Sequence, residues 1–159
     1  MKFRHELNYD ATPDAVFAML ADPAFRESVC AAMDVISADV SVQSKGGGMS
    51  VVVDQIQRTD DLPSFARTFA GESTQAIQRE EWSGPTEATL VIEAPGKPTK
   101  IAGTIRLESS GAGTTEVVEL EIKVKVPLIG GKLEKLMADK VESGMDAEHG
   151  VGVTYLAGK

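Results

Sequence analysis

Polar and apolar residues alternate one by one through much of this chain, and only its last thirty or so residues switch to a three- and four-residue spacing. The sharpest alternation lies in residues 115–126. There Val118, Leu120, Ile122, Val124 and Val126 face one way, and Glu119, Glu121, Lys123 and Lys125 face the other. Successive strand side chains point to opposite faces, so this is a strand with one greasy and one solvated side, as in antiparallel sheets. After Pro127, the residues Ile129, Leu133, Leu136, Met137, Val141, Gly144, Val151 and Tyr155 mark one face of a long helix, from about Gly130 to Leu156. At about 1.5 Å per residue it runs roughly 40 Å, longer than any other helix the chain can form. It is therefore the only element of matching length to cover the greasy face of the sheet.

The rest of the pattern reads as short elements. Residues 2–9 alternate, with Phe3, His5, Leu7 and Tyr9 on one face. Thr12, Pro13 and Asp14 have the chemistry of a helix start, and Asp22-Pro23 begins a second short helix reaching about residue 33. Strands are expected over Val35–Lys45, Met49–Arg58, Glu72–Trp82, Thr86–Ala94, Ile101–Leu107 and Thr115–Val126, divided by turn-forming Gly, Pro, Ser and Asp clusters. Between the second and third of these, Ser64 is expected to cap a brief helix that Gly71 ends. Helices and strands do not alternate, so the fold class is α+β: a curved antiparallel sheet of about six or seven strands on a long C-terminal helix, with two short helices after the first strand. No repeat or linker interrupts residues 1–159, which are expected to form a single domain.

Composition narrows the partners. The net charge is −8 and the pI about 4.8, which argues against nucleic acid and anionic membrane. The lone Cys30 excludes an internal disulfide, and the charged, alternating start is no signal peptide, so a cytoplasmic location is expected. Apolar runs are too short for stable membrane insertion. His-Glu-x-x-His, Cys-x-x-Cys, phosphate-loop and Gly-x-Ser-x-Gly patterns are absent. With two histidines and one cysteine, a metal site would have to recruit scattered carboxylates, so no metal or cofactor is expected.

Several residues carry two readings. His5, on an apolar face, is either a polar fixture or base inside a cavity, or a hydrogen-bonded core histidine. The second is favoured, because no nucleophile adjoins it. Gly144 leaves room for a ligand against the helix face or permits close packing, while Gly150 and Gly152 suggest fraying of the helix end. Trp82 is a core anchor or one wall of a cavity mouth. Gln55 and Gln57 share a strand face with Val51 and Val53, and would be polar groups in an apolar pocket if that face turns inward. Arg79 is expected at an exposed sheet position, paired with an acid.

The segments Gly96-Lys97-Pro98, Gly103-Thr104-Ile105-Arg106-Leu107-Glu108 and Lys125-Val126-Pro127-Leu128-Ile129-Gly130-Gly131-Lys132-Leu133-Glu134-Lys135-Leu136, with Val16–Arg26 near the start, give the chain a family likeness. It resembles the START-like, helix-grip superfamily of lipid-transfer domains and polyketide cyclases, and within it an actinobacterial branch catalogued as a domain of unknown function. The resemblance implies a cavity between sheet and tail helix that takes a small hydrophobic, lipid-like or polyketide-like molecule. The candidate pocket residues are then His5, Leu7 and Tyr9 of the first strand and Phe17 of the first helix. Val53, Gln55, Trp82, Leu120 and Ile122 join them from the later strands, and Met137, Val141 and Gly144 from the tail helix. No catalytic residue is carried over. A carrier or sensor is the preferred reading. The alternatives are a cyclase- or dehydratase-type enzyme using His5, Tyr9 or Glu80, and a co-chaperone-like partner-binding domain.

Overall fold

Along the chain the elements are β1 (Lys2–Tyr9), α1 (Pro13–Leu20), α2 (Pro23–Ala32), β2 (Ser37–Lys45), β3 (Gly48–Arg58), α3 (Ser64–Ala70), β4 (Ser73–Trp82), β5 (Glu87–Glu93), β6 (Thr99–Ser110), β7 (Gly113–Val124) and α4 (Gly130–Ala157). They come from a computed structural model that describes residues 1–158. The seven strands form one antiparallel sheet in the order β1-β7-β6-β5-β4-β3-β2. Each strand from β2 to β7 pairs with its neighbour in sequence, and β1 closes on β7 with His5 opposite Val118. This is the helix-grip arrangement.

Local chemistry sets the short helices. Thr12 accepts a hydrogen bond from the Ala15 amide at 3.2 Å and Asp22 one from the Ala24 amide at 2.9 Å, each with proline at the next position. These caps satisfy amides that the first helical turn leaves unpaired. α3 differs from expectation: Pro63 occupies the cap position, Ser64 is already helical, and no side chain caps the helix. β6 and β7 also differ. Both run up to the two-residue turn Gly111-Ala112, because Ser110 and Gly113 pair across it, so the Ser109-Ser110 stretch is ladder rather than loop. Val126 lies beyond the end of β7. At Gly103, where β6 meets β7, a Cβ would collide with the backbone carbonyl of Glu119, and only glycine allows that approach.

The inward faces are Phe3/His5/Leu7/Tyr9 on β1, Met49/Val51/Val53/Gln55/Gln57 on β3, the even-numbered residues of β4, Ala88/Leu90/Ile92 on β5, Ile101/Gly103/Ile105/Leu107 on β6, and Thr114 to Val124 at even positions on β7. α4 does not cover them evenly. It packs on β1, β7, α1 and α2, and not to any comparable extent on β3, β4 or β5. The core therefore sits at one side, around Val16, Met19, Leu20, Phe25, Val118 and Ile122, all at most 1% exposed.

The end of α4 corrects the expected fraying. The helix continues unbroken to Ala157, and Gly152 is buried against the Tyr9 ring. A Cβ there would lie 2.8 Å from Tyr9 Cε1 and 3.2 Å from Met19 Cε, whereas one at Gly150 meets nothing within 4 Å. Gly150→Ala is expected to stabilise the fold by about 1 kcal/mol through helix propensity. Gly152→Ala is expected to destabilise it by about 1–2 kcal/mol, because overpacking exceeds the same gain. Urea denaturation of the two variants measures this difference.

Candidate functional site

Where α4 leaves β3, β4 and β5 uncovered, the structure holds a hollow of about 220 Å³. Small inward side chains make the room: Thr74 and Ala76 on β4, Ala66 and Ala70 on α3, Ala94 after β5, and Gly144 on α4. Larger apolar groups line the rest, among them Leu90, Ile92, Ile101, Val118, Met137 and Val141. The α3 end is the open one, since Phe69, Ala70, Thr74 and Ala76 all keep some exposure. The opposite end is closed by charged groups. Arg26, Glu80 and Glu116, at 4%, 2% and 2% exposure, are among the most buried side chains of the protein.

Arg26 and Glu80 form a two-pronged ion pair, with Nη1 donating to Oε2 at 2.8 Å and Nη2 to Oε1 at 2.9 Å. Glu80 also accepts from Gln78 Nε2 at 2.6 Å and Trp82 Nε1 at 2.9 Å, and Arg26 Nε donates to the Leu20 carbonyl at 2.8 Å. Burial pushes the Glu80 carboxyl up, but the Arg26 charge and these donors outweigh it and hold Glu80 below the ordinary glutamate range. Burial likewise works against the charged form of Arg26, and the Glu80 carboxylate more than offsets it. The pair is ionised, and the Glu80 carboxylate accepts four hydrogen bonds.

Glu116 has the opposite environment. It is inward on β7 and faces Glu148 of α4, with which it shares a hydrogen bond. Burial first, then the neighbouring Glu148 and Glu80 carboxylates, push the Glu116 carboxyl well above the ordinary range. Burial raises Glu148 too, partly offset by Arg26. Facing each other, the two carboxyls each hold a proton more tightly than an ordinary glutamate does. One Glu116 oxygen, Oε1, has no hydrogen-bond partner among the described residues.

Five of the expected pocket residues line the hollow: Val53, Gln55, Met137, Val141 and Gly144. Seven do not, for a common reason: they lie where α1, α2 and α4 close on the sheet. Leu7, Leu120 and Ile122 are packed core, and the Phe17 ring stands edge-on to Trp82 at 5.5 Å. Tyr9 is pressed against Gly152, and its ring lies 5.3 Å from that of His149. His5 is at the sheet edge, with Nε2 3.0 Å from Asp146 Oδ1 and Nδ1 3.7 Å from Glu142 Oε1, a half-buried group facing solvent-exposed acids. His5, Tyr9 and Glu80 thus do not converge on one cavity. Arg79 is exposed and pairs with Glu93 at 2.9 Å. Gln55 and Gln57 do face inward, with Gln57 Nε2 donating to Gln55 Oε1 at 2.9 Å and Gln55 Nε2 3.6 Å from the buried Cys30 sulfur.

Arg26, Glu116 and Glu148 were not among the expected site residues. Their pattern was present in part: Glu116 has the parity of Val118, Leu120 and Ile122, and Glu148 lies four residues after Gly144 on the same helix face. Arg26, between Phe25 and Val29 on a short helix, carried no comparable signal.

A curved sheet gripping a long helix around a partly hollow interior is the helix-grip fold. Residues 4–156 match the family described as protein of unknown function DUF2505, and the chain belongs to that family. An uncharacterized protein of Mycobacterium tuberculosis is 31% identical over 104 residues, which cover 60% of this chain and 58% of that protein's length. A START superfamily protein from Mycobacterium smegmatis has the same fold at a TM-score of 0.62 and 15% identity, with 98% of each chain covered. The di-domain ARO/CYC StfQ of the steffimycin biosynthetic pathway matches at a TM-score of 0.69 and 12% identity, over 99% of this chain and 52% of that one. Among the described residues, no helix is long and apolar enough to cross a membrane.

Two measurements check the electrostatics. Arg26→Leu leaves the Glu80 carboxylate buried without its counter-charge and is expected to lower stability by about 3–5 kcal/mol in urea, with part of that recovered in the Arg26→Leu/Glu80→Leu double variant. Glu116, with its raised value, keeps a proton that the unfolded chain releases, so its contribution to stability falls as pH rises above the ordinary glutamate range. Glu116→Gln is therefore expected to melt higher than the parent at about pH 8 and not at about pH 4, read by thermal unfolding at the two values.

Proposed function

We propose that the protein binds a small hydrophobic molecule, lipid-like or polyketide-like, in the hollow between α4 and strands β3–β5. The observation that carries this is the hollow itself. It is walled mainly by apolar side chains, open toward α3, and left by a helix that covers only one side of the sheet. Ligand sites of this kind are concave, mostly apolar and equipped with a few placed polar groups. The family likeness to START proteins and to an ARO/CYC protein supports a ligand-binding use of the fold. Binding rather than catalysis is the better reading, because His5, Tyr9 and Glu80 do not meet, and Glu80 is held by four hydrogen bonds. The outer face of the sheet favours a partner protein less: Glu119 there is engaged by Arg4 at 2.8 Å and Arg106 at 3.2 Å.

Isothermal titration calorimetry with straight-chain alcohols tests the reading. Each buried CH₂ contributes roughly 0.8 kcal/mol, so affinity is expected to rise up to about fourfold per added carbon until the hollow is full. Ala76→Phe and Thr74→Leu, at inward positions of β4 that line it, are expected to weaken binding at least tenfold, roughly, without loss of the fold. Chain-length-independent heats, or filled variants that bind as well as the parent, would remove the case for this ligand class.

A further inference from the structure

The closed end of the hollow distinguishes between chemical head groups. Its strongest hydrogen-bond donors are turned toward protein acceptors. Arg26 gives Nε to Leu20 and both terminal nitrogens to Glu80; Gln78 donates to Glu80; Gln57 donates to Gln55. Gln55 Nε2 is turned toward Cys30 Sγ, 3.6 Å away. A carboxylate head entering here meets a guanidinium whose charge is already balanced by Glu80, with the Glu116 and Glu148 carboxyls beside it; the other lining cations, Arg58, Lys97 and Lys140, are bonded to Asp34, the Phe69 carbonyl and Asp61. What the site leaves short of a donor is the Glu116 carboxyl, which lines the hollow and whose enclosed Oε1 has no hydrogen-bond partner among the described residues. Thr99 Oγ1, the other lining oxygen in that condition, is a hydroxyl that donates or accepts and does not discriminate.

Charge points the same way. Arg26 and Glu80 cancel, so at this end the groups left without a counter-charge are the Glu116 and Glu148 carboxyls, while the lining cations Lys97 and Lys140 are bonded to the Phe69 carbonyl and to Asp61. A buried polar atom without a partner costs free energy that a ligand donor restores, and a hydrogen bond to a charged group is the stronger kind.

We propose that the ligand carries a hydrogen-bond-donating head, best a protonated amine, that docks on the Glu116 carboxyl beside Glu148 at the closed end while its apolar body fills the hollow toward α3. The inference rests on the apolar-ligand reading and adds the polarity of one end. It places hydroxylated ligands second and fatty-acid-like carboxylates last.

The test is calorimetry of the protein at neutral pH with decylamine, decanol and decanoic acid, which share one chain and differ in the head. The expected order is amine, alcohol, acid, with amine and acid separated at least tenfold, roughly. The series is repeated at about 0.5 M salt, where the attraction of an acidic surface for any amine is screened and a buried contact persists. In Glu116→Gln the amine is expected to lose most of that advantage and the acid to gain. Glu148→Gln, at a half-buried helix position, is expected to act in the same direction and serves if Glu116→Gln folds poorly. Acid binding as tightly as amine, a preference that vanishes in high salt, or one unchanged in both variants would overturn the head-group assignment and leave the apolar reading standing. Failure of all three compounds to bind would overturn both.

Discussion

The closed end of this molecule depends on one buried ion pair. Arg26 belongs to a short helix and Glu80 to the middle of the sheet, and their two-pronged contact ties α2 to β4 across the interior. Taking two charges out of water is expensive, and such a pair persists only when geometry and extra hydrogen bonds are nearly complete. That condition is met here by Gln78, Trp82 and the Leu20 carbonyl. The pair therefore fixes one contact between α2 and β4 that neither element's own pattern specifies. It also balances the one buried cation that an anionic ligand at this end would have met.

The second constraint is asymmetric packing. α4 is long enough to cover the sheet but packs on β1 and β7, leaving β3 to β5 facing small residues. A fully packed interior would be the more stable arrangement, since an apolar void forfeits dispersion contacts on every lining atom. The Glu116–Glu148 pair is a further departure from a stability-optimised core. Strained or under-satisfied groups gathered at one place are what a binding site looks like when its ligand supplies the missing contacts.

Much of the architecture was legible in the chain. Period-two alternation located the strands, the shift to helical spacing located α4, and Thr12-Pro13 and Asp22-Pro23 located the two short helices, because each signal is a local consequence of backbone geometry. Glu116 was legible too, through its parity with Val118, although a lone acid on an apolar face reads at first as a strand end. β4 was not: Gln78, Arg79, Glu80 and Glu81 give no apolar row, so nothing local says which face turns inward. Only the register with β3, Val53 opposite Gln78 and Val51 opposite Glu80, decides it.

By itself the sequence determined the element types, their order, the antiparallel sheet and the covering helix, since these follow from side-chain periodicity and capping within a few residues. Tertiary structure alone decided that α4 leans to one side, that Arg26 meets Glu80 fifty-four positions away, and that Tyr9 and Ile122 are solid core while Ala76 borders empty space. The reason is physical: periodicity says which face of an element is buried, but whether a buried face meets another side chain or a hollow depends on how far apart the packed elements stand, and no local pattern encodes that distance.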